Sequence, residues 1–205
     1  MITNSSSGTN VHEVAMGIYR INTPVVFPGG AGAFNFNQYL IADDEPLLFH
    51  TGPRRMFPLV SEAIGKIVPM QRLHYLAFSH FEADECGSLN EFLAVAPNAV
   101  PVCSRVAAMV SVDDVADRPS RPLADGEVLK LGRHEVRWFD TPHLPHAWEC
   151  GLMMELQTRT LLCGDLFTQF GEGPAQTETD IVGPAIAGED IAGYSALNPG
   201  MGATL

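Results

Sequence analysis

Residues 79–85 read Ser-His-Phe-Glu-Ala-Asp-Glu, directly after the apolar run Leu73–Phe78 (LHYLAF). A short apolar run of that kind reads as a buried strand, so the polar stretch stands at a strand end. Alternate residues leaving a strand can converge on one point, which would bring His80, Glu82 and Asp84 to a common site, with Glu85 a further candidate. The plainer alternative is a polar loop ahead of a helix over Cys86–Ala96, capped by Asp84 or Glu85. A cap uses one acid, whereas three acids and an imidazole lie within the six residues 80–85. Carboxylates with some imidazole form a metal-binding donor set, harder than the thiolate and imidazole sets that select zinc.

Two further stretches repeat the arrangement of a strand followed by ligands. Glu135–Asp140 is strand-like and runs into Thr141-Pro142-His143-Leu144-Pro145-His146. Two prolines stiffen this turn and would hold an imidazole in place before any metal arrives. His146 and His143 are the candidates. Leu161-Leu162-Cys163-Gly164-Asp165 delivers an acid through a glycine. Alone, Asp165 would be an ordinary turn residue; beside the other two clusters it reads as a carboxylate shared between two ions. His74 and His134 have no such neighbours and read as solvated or core residues.

Around these stretches the chain alternates short strands and helices. Strand-like segments are Val11–Asn22, Phe34–Asp43, Pro46–Phe49, Val100–Cys103, Glu127–Leu131, Glu135–Asp140, Gly151–Leu156 and Thr160–Cys163. Asp43-Asp44-Glu45 suits a hairpin turn. Apolar residues at helical spacing mark Arg55–Val68, ended by Pro69, and helices are also expected over Cys86–Ala96, Ser104–Val112 (capped by Ser104) and Glu189–Leu197. Val115–Gly126 and Gly171–Gly188 read as irregular, and residues 1–10 as a frayed polar tail ahead of one domain over 11–205. Strands in both halves with helices between them favour two sheets faced by helices, an α+β arrangement.

Composition bounds the partners. With 205 residues, 46% of them hydrophobic, the chain is long enough for a core without disulfides. A formal net charge of -12 disfavours nucleic acid and anionic membrane as partners. The start MITNSSSGTN lacks the features of a secretion signal. Cys86, Cys103, Cys150 and Cys163 form no CxxC pair and read as reduced thiols of a cytoplasmic protein.

The order HFEADE, TPHLPHAWE, LLCGDLF resembles the metallo-β-lactamase superfamily, whose HxHxDH motif is followed by a later His and a bridging Asp. The nearest branch is that of the flavodiiron proteins and their single-domain oxygen-binding relatives, where Glu replaces the second His; His80-Glu82-Asp84 matches it residue by residue. The resemblance runs from about Tyr39 to about Gly171. It implies a four-layer αββα sandwich, with His80, Glu82 and His146 holding one metal, Asp84 a second, and Asp165 between them. His146-Ala147-Trp148-Glu149 resembles the turn that carries the family's later His, which favours His146 over His143. Glu85 stands where the family has a His. No histidine follows His146, although the family supplies a last one near the C-terminus, so a further C-terminal segment is expected.

The implied cofactor is a pair of iron ions, with manganese or zinc as alternatives. The implied function is binding or reducing O2 or NO. The chain has no flavodoxin domain, so electrons would come from a separate flavoprotein, and the family suggests a homodimer. The competing reading is a metal-dependent hydrolase of lactonase or thioesterase type, in which a metal-bound hydroxide attacks a carbonyl.

Overall fold

The computed structural model describes residues 1–26, 33–168 and 176–192. Twelve strands among them form two sheets. The larger holds β1 (Ile2–Asn4), β2 (Thr9–Ala15), β3 (Ile18–Val26), β4 (Ala33–Ile41), β5 (Leu47–Phe49), β6 (Tyr75–Ala77), β7 (Val100–Ser104) and β8 (Arg121–Leu123), in that order. Pairing is antiparallel from β1 to β5 and parallel from β5 to β8. The smaller sheet is antiparallel, in the order β12 (Thr160–Leu162), β11 (Gly151–Glu155), β10 (Glu135–Asp140), β9 (Val128–Lys130).

Strand alternation distributes the apolar residues between two cores. Leu48, Leu76 and Cys103 point to one face of the large sheet and pack with Val60 and Ile64 of α1 (Phe57–Gly65) and Phe92 and Leu93 of α3 (Leu89–Val95). Leu47, Phe49, Tyr75, Ala77 and Val102 point to the other face and meet Leu129, Val136, Trp138 and Met153 of the small sheet. The architecture is therefore helix on sheet on sheet, the α+β arrangement expected from sequence. Helix α6 (Val182–Ala192) lies against the turn Gly164–Phe167 that follows β12.

Several expected elements differ from those observed. Residues 1–10 are no frayed tail: Ile2 and Asn4 pair with β2, and Thr9 and Val11 are buried. The Ser and Thr side chains that make this segment look like a tail hydrogen-bond among themselves, as Thr9 Oγ1 does with Thr23 Oγ1 at 3.1 Å. Val11–Asn22 is a hairpin turning at Gly17, whose φ of +71° suits glycine. The loop over Val115–Gly126 contains β8, which closes the parallel run beside β7. Cys86–Ala96 is divided into α2 (Ala83–Cys86) and α3, so Asp84 and Glu85 stand within a helical turn. Helix α6 starts at Val182, inside the stretch read as irregular, and residues 193–197 of the helix expected there lie outside the described residues. Ser104 does cap, its Oγ accepting from the Ala107 N–H at 3.0 Å at the start of α4 (Arg105–Ala107), which a π-turn over Ala108–Val112 joins to α5 (Asp113–Val115).

Candidate metal centre

Both sheets deliver polar residues to one edge of the sandwich. From the large sheet, the chain beyond β5 carries His50, and the chain beyond β6 carries Ser79, His80 and Glu82 before turning into α2 with Asp84 and Glu85. These strands are parallel, so both carboxyl ends open on the same side, where ligand sites of such sheets are found. From the small sheet, the β10–β11 loop carries His146, and the turn after β12 carries Asp165.

Hydrogen bonds stitch the segments together. Gly151 N–H donates to the Ser79 carbonyl at 2.8 Å. Glu149 Oε1 accepts from Phe81 N–H at 3.1 Å, and Ser104 Oγ donates to the Glu149 carbonyl at 2.8 Å. Thr51 N–H donates to the Glu85 carbonyl at 2.6 Å, tying α2 to the chain beyond β5. Gly164, at φ +52°, lies so close that a Cβ there would sit 2.6 Å from Ser79 Oγ. Only a glycine lets the Asp165 turn close over Ser79 without displacing it.

His80, Glu82, His146 and Asp165 place one donor atom each within 4.8 Å of one another. His80 Nε2 is 3.5 Å from Glu82, 3.8 Å from Glu85 and 3.7 Å from Asp165. His146 Nε2 is 3.2 Å from Asp165 and 3.8 Å from Glu82. The two imidazoles meet edge to face, 4.3 Å between centroids. A second group with the same spacing contains Glu82, Asp84 and Glu85. Glu82 is common to both groups, whereas Asp165 falls in the first only. His143 is exposed, has a left-handed backbone at φ 67°, and joins neither group.

Among the described residues, Glu82, Glu85 and Asp165 form their ion pairs with histidines alone. Burial, then the neighbouring Asp165 and Asp84, pushes the Glu85 carboxyl up to about 11. Asp165 is held below its ordinary value: burial raises it, but the hydrogen bond from His146 and the nearby His80 and His50 outweigh that. His146 is raised by its hydrogen bond to Asp165. His80 is lowered, chiefly by burial. Within the cluster, His80 Nε2 and Glu85 Oε2 are fully buried and lack any hydrogen-bond partner. Such orphans cost on the order of 1–3 kcal/mol each, and a cation at this point would satisfy both. The residues present fit a metal ion.

A sequence model described as "ODP family beta lactamase" matches residues 34–184. The chain belongs to that family. Among curated relatives, this ODP-family chain is 28% identical over 155 residues to "Putative diflavin flavoprotein A 2" of Synechocystis, covering 71% of the chain and 26% of the relative. It is 26% identical over 136 residues to the "Rubredoxin-oxygen oxidoreductase" of Megalodesulfovibrio gigas, covering 65% and 34%. It therefore spans about a quarter to a third of the length of these relatives. Among solved structures, the rubredoxin oxygen:oxidoreductase of Desulfovibrio gigas superposes with a TM-score of 0.76 at 18% identity, over 88% of this chain and 48% of the other. The flavodiiron protein of Giardia intestinalis does so with a TM-score of 0.74 at 18% identity, over 88% and 47%. The metallo-β-lactamase-type fold of the flavodiiron branch is thus established for this ODP-family domain.

Sequence reasoning missed three residues that the fold brings to the cluster. His50 is buried, stacks on Phe49 at 4.4 Å and hydrogen-bonds Ser79. Burial pulls its imidazole down to about 4. Ser79 links His50 to His80, and Glu149 anchors Phe81. The available signal for His50 was its place at the end of an apolar strand, ahead of Thr51-Gly52, which parallels the place of Ser79-His80 after β6. A cleft of about 530 Å³ opens beside the site, with Arg20, Asn37, Tyr39, His50, Asp84 and Glu85 on its walls.

Proposed function

We propose that this domain holds two metal ions, iron in preference to zinc, and serves as the O2- or NO-reactive module of a redox system supplied with electrons by a flavin donor. The observation that carries the proposal is the pair of buried, unpartnered atoms, His80 Nε2 and Glu85 Oε2, inside two donor groups that share Glu82. His80, Glu82, His146 and Asp165 would hold one ion, and Asp84, Glu85 and the shared Glu82 the other. Four carboxylates to two imidazoles form a hard donor set, which favours iron or manganese over zinc. Bound iron would supply the electrons and the open coordination positions that O2 or NO reduction needs.

The chain's own contribution is preorganisation. Asp165 is fixed by His146 at 3.2 Å and by the Thr168 hydroxyl at 3.3 Å. The imidazole of His80 is completely enclosed, which keeps bulk water from its ring. The relatives' names, diflavin flavoprotein and rubredoxin-oxygen oxidoreductase, support a redox role and lend no support to a hydrolase.

The test is anaerobic reconstitution with Fe(II), followed by metal analysis and optical spectra before and after exposure to air, with a flavin reductase then added. The proposal predicts two iron ions per chain and a spectral change on exposure that the reductase reverses. Purified protein that holds no iron, manganese or zinc and takes up none would overturn it.

A further inference from the structure

His80 can act as a ligand through Nε2 only if that nitrogen carries a lone pair, which requires the ring proton on Nδ1. Second partners of metal-binding histidines commonly fix this choice. Here the second partner of His80 is neither carboxylate nor carbonyl. Its Nδ1 lies 2.9 Å from Ser79 Oγ, and a hydroxyl alone decides nothing, since it can donate or accept. The decision passes to whatever else the hydroxyl meets, which is His50 Nε2 at 3.0 Å.

We infer that His50, which touches none of the proposed ligand atoms, sets the tautomer of His80 through the Ser79 hydroxyl and so keeps His80 Nε2 open for a cation. The inference rests on the ligand role proposed for His80. The direction of the chain follows from a second contact. The Ser79 backbone N–H, which can only donate, points at the same His50 Nε2 at 3.4 Å. That nitrogen is therefore an acceptor, and His50 carries its proton on Nδ1. The Ser79 hydroxyl then donates to His50 Nε2 and is left to accept from His80 Nδ1–H. His80 Nε2, a buried nitrogen with no hydrogen-bond partner, then emerges unprotonated.

Three features hold the chain rigid. His50 lies flat on Phe49. Ser79 is 1% exposed and covered by Gly164, the residue before Asp165. The carbonyl of Ser79 is fixed by Gly151 N–H from the other sheet. His50 and Ser79 are positioning residues: their effect reaches the site only through the His80 ring.

The experiment reads nitrogen-15 shifts and long-range nitrogen–proton correlations of the histidine rings in the metal-free full chain at neutral pH. The Nδ1–H tautomer is expected for both His50 and His80. His50→Phe keeps a flat ring on Phe49 but removes the acceptor. The Ser79 hydroxyl is then free to donate to His80 Nδ1, and the His80 spectrum should shift toward the Nε2–H form. His50→Gln offers an acceptor oxygen and should restore the original tautomer. Fe(II) affinity, measured in parallel, should fall roughly 10- to 100-fold in His50→Phe and recover in His50→Gln.

A wild-type His80 protonated on Nε2, or a His80 tautomer unmoved by His50→Phe in a folded variant, overturns the inference. If His50→Phe does not fold, Ser79→Ala serves instead, and a single unchanged His80 tautomer there overturns it equally. Tautomers that behave as expected in a protein that takes up no metal would refute the metal-centre proposal while leaving the hydrogen-bond chain standing.

Discussion

At the scale of single residues, the site separates side chains that hold charge from those that only stand near it. Asp165 faces two imidazoles and contributes an anion to the cluster; Asp165→Asn removes that anion and keeps the shape. Unit charges 4 Å apart at an effective dielectric of 20 interact by about 4 kcal/mol, so metal content per chain should collapse in this variant. His143 is exposed and left-handed at φ 67°, a conformation that asparagine tolerates. His143→Asn should keep parental metal content, and a loss matching that of Asp165→Asn would mean that the wrong histidine has been chosen. Glu82→His exchanges a hard oxygen for a borderline nitrogen. From an equimolar iron and zinc pool the variant should take up a larger share of zinc than the parent. An unchanged ratio by elemental analysis would refute the donor-hardness argument.

At the scale of elements, the parts most legible in the sequence were those whose chemistry is local. The strands ending at Ala77 and Asp140 were visible as apolar or alternating runs, and the candidate ligands beyond them as clusters, because each lies within a few residues of its neighbours. What escaped notice depends on distant partners. His50 acquires its meaning from Ser79, 29 positions on, and β1 from its pairing with β2. A lone histidine and a string of serines and threonines carry no signature of such partners. His134, read from sequence as a solvated or core residue, lies in the core, and its partner Glu155 gives a test. Both are buried, with His134 Nδ1 3.0 Å from Glu155 Oε1. Burial raises the Glu155 carboxyl, but the Thr158 hydroxyl and N–H, His134 and the Gln157 N–H together bring it below its ordinary 4.5. A carboxyl depressed by folding adds stability that is present above that ordinary value and is lost as pH falls through the folded value. Glu155→Gln should therefore cost on the order of 1–3 kcal/mol at pH 7, and its gap from wild type in urea unfolding should narrow below pH 4.5. A gap constant from pH 7 to pH 3 would contradict this. In the turn after β12, Gly164→Ala combines a left-handed φ of +52° with a Cβ 2.6 Å from Ser79 Oγ. It should lower the urea midpoint by the equivalent of roughly 1–3 kcal/mol and reduce metal uptake as well, since both Ser79 and Asp165 must shift.

At the scale of the whole molecule, the proposed ligands come from both sheets: His80, Glu82, Asp84 and Glu85 from the larger, His146 and Asp165 from the smaller. An ion held by both groups would bind the folded state far better than the unfolded one. Iron at 100 times its dissociation constant should add about 2.7 kcal/mol, a rise of roughly 5–10 °C in the melting temperature of a domain of this size. Unchanged melting curves with and without Fe(II) would argue against a site that spans the sheets. The same geometry makes an occupied centre a rivet through the sandwich. The Leu47, Phe49 and Trp138 layer that joins the sheets could not part while the ion was clasped from both sides. Amide exchange in β10 and β11 would then report occupancy from many ångströms away: slow in the riveted protein, and governed by the apolar layer alone once a chelator has drawn the metal out.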